Sequence, residues 1–235
     1  MKDLVYTDKG SKNWLFEKYY FGGQNYRYFT FQLALNLLKQ RHPNPIIIET
    51  GCQRMKDDLG AGMSTSIWGE YCQRYGGHLT SVDISGQNLT VCKECTAQYA
   101  GLITYIQSDS IAFLSGKRGA ADLLYLDSLD YDYGGLLNIY GGAADINAAI
   151  KAVDAIPQDE LLKKHSNIIL PAQQHCLSEL KAAEKSGIIK ADTILMIDDN
   201  QLPGGGKSRL VKDYLASTGW TCLLDHQQTL WVRKL

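Results

Sequence analysis

Residues 45–84 constrain the fold of this chain more than any other stretch. Pro45-Ile46-Ile47-Ile48-Glu49-Thr50-Gly51 is a β-branched apolar run that closes on an acid and a glycine. A polar loop leads to Gly60-Ala61-Gly62-Met63-Ser64-Thr65, and a helix-like segment follows. His78-Leu79-Thr80-Ser81-Val82-Asp83-Ile84 is then a second apolar run with an acid near its end. Strand, glycine turn, helix and strand together make a βαβ unit with a ligand turn after its first strand, which predicts an α/β protein. Asp83 stands about 20 residues beyond the glycines, where folds of this kind hydrogen-bond a ribose.

The turn discriminates between ligands by charge. A dinucleotide would set its pyrophosphate on the glycines and the helix N-terminus, where backbone N–H groups and the dipole favour anions. Glu49 just before Gly51, with Asp57 and Asp58 in the loop, would repel that pyrophosphate. Thr65 also stands where the dinucleotide fingerprint has its third glycine. A ribose-bearing ligand with an ammonium, a sulfonium and no phosphate, S-adenosylmethionine, suits these carboxylates better.

Glu49-x-Gly51, then Gly62-x-Ser64-Thr65, then a strand ending in Asp83 resembles the class I S-adenosylmethionine-dependent methyltransferases, from about residue 45 to the C-terminus. The loop between Gly51 and Gly62 is longer than their usual turn. The resemblance implies a Rossmann-like seven-stranded methyltransferase sheet with an antiparallel C-terminal hairpin and helices on both faces. It implies cofactor contacts from Glu49, Gly51, Gly62, Ser64, Asp83 and Asp127, with Asp109 or Ser110 at the adenine amine.

Composition narrows the class. The 235 residues suffice for one α/β domain, or for a domain with a small appendage. A net charge of −1 supplies no basic field for nucleic acid or an anionic membrane. The six cysteines are scattered and read as reduced, mostly buried thiols. Cys92-Lys93-Glu94-Cys95 lacks the second pair that zinc wants. Residues 1–12 contain no apolar signal-peptide core, and no run of about 18 apolar residues is long enough to span a membrane. The expectation is a cytoplasmic enzyme with a small-molecule acceptor, with homodimer formation an open option.

Taken in order, residues 1–44 hold an aromatic-rich segment (Trp14, Phe16, Tyr19, Tyr20, Phe21, Tyr26, Tyr28) and a helix predicted over 29–40. This part either packs on a domain or dimer surface or caps the substrate site. Residues 45–235 form the cofactor-binding domain. Helices are predicted over 64–75 and 85–100, the second with Ser85 as N-cap. Strands follow over 102–107 and 121–127. Asp109 or Ser110 either caps a short helix or meets the adenine, and one residue can do both. Residues 134–167 are an insertion with an amphipathic piece over 143–156, either a candidate lid or specificity element or a peripheral helix with no role in binding. A helix over 171–185 is predicted with Pro171 in its first turn. A strand over 193–197, a helix over 209–217 and a terminal hairpin over 220–224 and 229–232 complete the chain.

Ligands of open α/β sheets sit outside the carboxyl ends of the strands. Each of those ends carries a carboxylate here: Glu49, Asp83, Asp109, Asp127 and Asp198-Asp199. Asp127 with Asp198, Asp199 and Asn200 makes a hard oxygen set suited to Mg²⁺ or another divalent cation. The set resembles the metal-dependent O-methyltransferases of the catechol and macrolide-sugar types. There the metal would bind two substrate oxygens and lower the pKa of the attacking hydroxyl. Asp130 stands where the catechol type has its lysine base; the macrolide-sugar type can use an aspartate nearby, so that resemblance implies Asp130 or Asp132 as the base, with His175 the runner-up. Gly204-Gly205-Gly206-Lys207-Ser208 is not a P-loop, because Gln201 stands where the motif needs its first glycine. It reads as a flexible rim loop whose Lys207 could meet an anionic part of a substrate. The competing functions are a NAD(P)-dependent oxidoreductase and a catalytically silent cofactor-binding protein of the same fold.

Overall fold

Among the described residues seven strands form one sheet, its strands in the chain order third, second, first, fourth, fifth, seventh, sixth. The computed structural model describes Leu15 and residues 27–56, 63–116 and 119–233. Asp57, Asp58 and Gly62 of the glycine turn, and the aromatic segment ahead of Arg27 apart from Leu15, lie outside the described residues. Strands β1 (Ile46–Thr50), β2 (His78–Asp83), β3 (Ile103–Gln107), β4 (Ala121–Leu126) and β5 (Ile189–Ile197) are mutually parallel. β7 (Thr229–Arg233) runs antiparallel to both β5 and β6 (Trp220–Asp225). This is the sheet the resemblance implies, closing hairpin included. Among the described residues no helix is long and apolar enough to cross a membrane.

The strand sequences explain the layering. Every residue of β4 is buried, as a central parallel strand covered on both faces requires. Because side chains alternate across a strand, Leu123 and Tyr125 enter one core and Leu124 and Leu126 the other. The first core lies under α1 (Arg27–Arg41) and α2 (Ser64–Tyr75), with Phe31, Leu38, Ile67 and Trp68 on Ile47, Leu79 and Met196. The second lies under α4 (Ser110–Ser115), α8 (Ser166–Ser186) and α9 (Arg209–Ser217), with Phe113, Leu180 and Leu215 on Leu195 and Ile197. Helix α3 (Gly86–Cys95) is capped by the Ser85 hydroxyl, which accepts from the Asn88 amide, and a 3₁₀ turn over Ala97–Leu102 replaces its predicted last turn.

Residues 134–167 fold into three short helices, α5 (Tyr133–Ile139), α6 (Ile146–Asp154) and α7 (Gln158–Lys164). They share a small core of Leu136, Ala149, Val153 and Leu161 with Ile169 and Ala172 of α8. That packing corrects the start of α8. The helix begins at Ser166, and Pro171 lies inside it rather than in its first turn. A proline so near a helix start removes only one early hydrogen bond, and burial of Ile169 and Ala172 against the insertion supports the extra turn.

Helix α1 belongs to the main core. Phe31, 1% exposed, packs its ring against Trp68 and Tyr125 with centroids 5.2 and 6.2 Å away. Phe31→Ala is expected to lower the unfolding free energy by about 3–5 kcal/mol, the usual cost of emptying a buried aromatic site. Urea denaturation measures it, and a loss below about 1 kcal/mol would mean that α1 is only loosely applied to the sheet.

Candidate functional site

The carboxyl ends of β1, β2 and β4 are drawn together by backbone bonds. The Gly51 amide donates to Val82 O at 2.8 Å, and the Asp127 amide donates to Thr50 O at 2.9 Å. Gly51 has φ +81°, and a Cβ there would lie 2.1 Å from the Asp127 carbonyl oxygen, so only glycine admits this approach. A cavity of about 270 Å³ opens beside it, bordered by Asp83, Asp109, Ser110, Ser128 and His175. An adjoining cavity of about 250 Å³ shares Gly51 and Asp83 with it and reaches Arg54, Ser64, Asp127 and Asp130. Ile84 and Leu129, 71% and 40% exposed, are apolar walls common to both.

Glu49 is fully buried at the end of β1. Its Oε1 accepts from the hydroxyls of Thr65 and Ser81, while its Oε2 has no hydrogen-bond partner among the described residues. Asp83 Oδ1 accepts from the Ser85 amide at 2.7 Å, and its Oδ2 is 3.3 Å from the Cys52 amide. The Asn88 side chain reaches both oxygens. These bonds fix the Asp83 carboxylate at the cavity mouth. Asp109 caps α4 by accepting from the Ala112 amide at 2.8 Å. Ser110 Oγ and Ser128 Oγ lie 3.0 and 2.9 Å from His175 Nε2, and Ser128 also donates to the buried Glu179. His175 thus borders the first cavity, beside Asp109 and Ser110.

The remaining sequence candidates are placed differently. Asp130 is paired with Arg54 at the rim of the second cavity. Asp132 caps α5 by accepting from the Gly135 amide at 2.9 Å and borders neither cavity. Asn200 turns to the Ser208 hydroxyl, Asp225 and the His226 carbonyl. Asp198 is buried against Arg27, with Nη2 to Oδ1 at 3.0 Å, and accepts from the Tyr125 hydroxyl and from Gln228. Burial opposes its ionisation, but Arg27 and the Tyr125 hydroxyl hold its pKa below the usual carboxylate range.

Asp127 and Asp199 do converge, but on a side chain. Lys207 Nζ lies 2.7 Å from Asp127 Oδ1 and 2.9 Å from Asp199 Oδ2. Burial works against that charge, yet the two carboxylates together lift the Lys207 pKa above the usual lysine range. The oxygen set read from the sequence as a metal site therefore does not fit a divalent ion as it stands. Among the described residues no three His, Cys, Asp or Glu side chains are grouped to hold one. The glycine loop is a mount for this lysine rather than a flexible rim. Gly204, Gly205 and Gly206 all have positive φ, and Gln173 Nε2 donates to the carbonyls of Gly204 and Gly206 at 2.9 and 3.0 Å. The sequence reading missed Arg27, Arg54, Asn88, Ser128 and the inward turn of Lys207. Three consecutive glycines before a lysine were the one local signal for the last.

No protein-family model matches the chain, and no curated protein matches it. Solved structures do. The SAH-bound Podospora anserina methyltransferase PaMTH1 is 14% identical, with a TM-score of 0.52 over 88% of this chain and 78% of that one. The protein PH0851 is 9% identical, with a TM-score of 0.53 over 86% of this chain and 45% of that one. An rRNA methylase from Streptococcus thermophilus is 7% identical, with a TM-score of 0.48 over 87% and 96%.

Burial raises the Glu49 pKa to about 7, with the hydrogen bonds from Ser81 and Thr65 opposing the rise and Asp83 adding to it. The folded value lies above the ordinary 4.5, so the protonated form favours folding. That contribution is complete below about 4.5 and is lost as pH rises through about 7, a change of about 3 kcal/mol. Glu49→Gln is expected to remove this decline, so that the variant outlasts the wild type at pH 8 but not at pH 4.5. Denaturation curves at the two pH values check it, and parallel curves for the two proteins would refute the assignment. At the identities found, the comparisons establish one thing, that the chain has the fold of the PaMTH1 methyltransferase structure.

Proposed function

We propose that this protein transfers the methyl group of S-adenosylmethionine to a hydroxyl oxygen of a small molecule. The observation that carries the reading is Glu49: a buried carboxylate with one oxygen unpartnered among the described residues, at the end of β1 beside the glycine turn. A buried carboxylate oxygen left without a partner is costly, and an ammonium from a ligand would complete it. A pyrophosphate at the same place would face Glu49 and Asp83 together, which disfavours the oxidoreductase reading.

The other residues have roles that follow from position. Asp83 would accept from the two ribose hydroxyls. Ile84 and Leu129 offer apolar surfaces for the faces of a purine. Asp109, Ser110 and His175 border the same cavity and offer polar groups to its edge. Gly51 and Ser64 line the passage toward Asp127. The bound cofactor would supply an electrophilic methyl group on a sulfonium. The chain's own work is then to orient the acceptor oxygen in line with it and to exclude water. Asp130, held by Arg54 at the rim of the second cavity, would take the hydroxyl proton, and no step is routed through a divalent ion. A net charge of −1 supports a small acceptor over a polyanionic one.

Calorimetric titration with S-adenosylhomocysteine and with NAD tests the reading. S-adenosylhomocysteine is expected to bind, Asp83→Ala to weaken it about 10- to 100-fold through lost charged hydrogen bonds, and Glu49→Gln to weaken it while raising stability at pH 8. Binding of NAD but not of S-adenosylhomocysteine would overturn the reading. Uptake of S-adenosylhomocysteine with no hydroxyl acceptor methylated would favour a silent binding protein.

A further inference from the structure

We infer that Lys207 is the resident cation of this site, an internal ammonium standing where the carboxylates of β4 and β5 would otherwise take a divalent metal ion. Asp127 and Asp199 come from the ends of adjacent parallel strands and aim one oxygen each at the same point, 2.7 and 2.9 Å from Nζ. The Lys207 side chain is 3% exposed. A hexacoordinate Mg²⁺ needs oxygens at about 2.0–2.1 Å around an accessible centre, and the ammonium blocks that centre. The other donors of the set are committed, Asp198 to Arg27 and Tyr125, and Asn200 to Ser208 and Asp225.

Charge leads to the same conclusion. Even with Asp127, Asp198 and Asp199 all ionised, Lys207 and Arg27 return two of their three charges, Arg27 also reaching Asp199 at 3.4 Å. A divalent ion added to that set would leave it positive. Displacing the lysine instead would mean undoing its mount. The Gly206 backbone is so close to Asp199 that a Cβ would lie 2.3 Å from the Asp199 carbonyl oxygen. Gln173 and Gln158 hold the loop from two further helices. The protein therefore carries its cation covalently, and a chelator cannot remove it. The inference rests on the methyltransferase reading only for what the cation serves; its occupancy of the centre stands on geometry alone.

Titration with Mn²⁺, followed by the loss of the free-ion electron-paramagnetic signal, reads this directly. Wild-type protein is expected to take up no Mn²⁺ at millimolar concentration. Lys207→Ala is expected to gain a site, and Lys207→Ala combined with Asp199→Asn to lose it again. S-adenosylhomocysteine affinity of the wild type is expected to be the same in EDTA and in Mg²⁺. Stoichiometric Mn²⁺ uptake by the wild type, a more than tenfold effect of Mg²⁺ on that affinity, or a folded Lys207→Ala protein that gains no site would each overturn the inference. The wild-type measurements decide it even if the variant does not fold. If S-adenosylhomocysteine fails to bind while the Mn²⁺ results come out as expected, the cofactor reading falls and the resident cation stands.

Discussion

The ion cluster of Lys207 and Arg27 with Asp127, Asp198 and Asp199 is the interaction on which the sheet's functional edge depends. It joins the ends of β4 and β5, the first turn of α1 and the glycine loop before α9. Three carboxylates at the ends of two adjacent strands would repel one another at short range in a medium of low polarisability. Two buried cations make the arrangement possible. Such pairs add little net stability when complete, but removing one partner typically costs about 3–5 kcal/mol because a buried charge is left alone. The cluster is therefore a device of position more than of strength. It fixes Asp127, and with it the carbonyl over Gly51 that narrows the cleft.

On the other side of the same edge the logic is reversed. Glu49 is left incomplete, with hydroxyls on one oxygen and, among the described residues, nothing on the other. Near neutral pH the fold carries there a cost that a cationic ligand would relieve, which is how binding sites commonly trade stability for function. One end of the cleft has its charges balanced by the chain itself, and the other is left open. Gly51 and Asp83 border both cavities, and Asp127 and Ser64 border the second.

The insertion shows how a local rule yields to packing. Pro171 marks a helix start when the neighbouring residues are considered alone. Helix α8 nevertheless begins five residues earlier, since its added turn buries Ile169 against the helices of residues 134–167. Gln158, at the start of α7, then reaches the glycine loop, and Gln173 of α8 holds the same loop from the other side. The insertion is thereby connected to the mount of Lys207.

The sequence by itself determined the elements whose signals are local. The Ile46–Ile48 run, the glycine at Gly51, the acid at Asp83, the Ser85 cap and the alternation through β4 place strands, turns and faces because each depends on neighbours a few residues away. The closing hairpin and the carboxylates at the strand ends were legible for the same reason. Only the tertiary structure decided what those carboxylates face. Asp127 and Lys207 are 80 residues apart and Arg27 and Asp198 are 171 apart, and no periodicity or motif encodes a pairing over that distance. Asp130, Asp132, Asp198 and Asp199 look alike as a row of acids. One meets a rim arginine, one a helix N-terminus, one a buried guanidinium and one a buried ammonium, because charge pairing is set by where the folded chain brings opposite charges out of water.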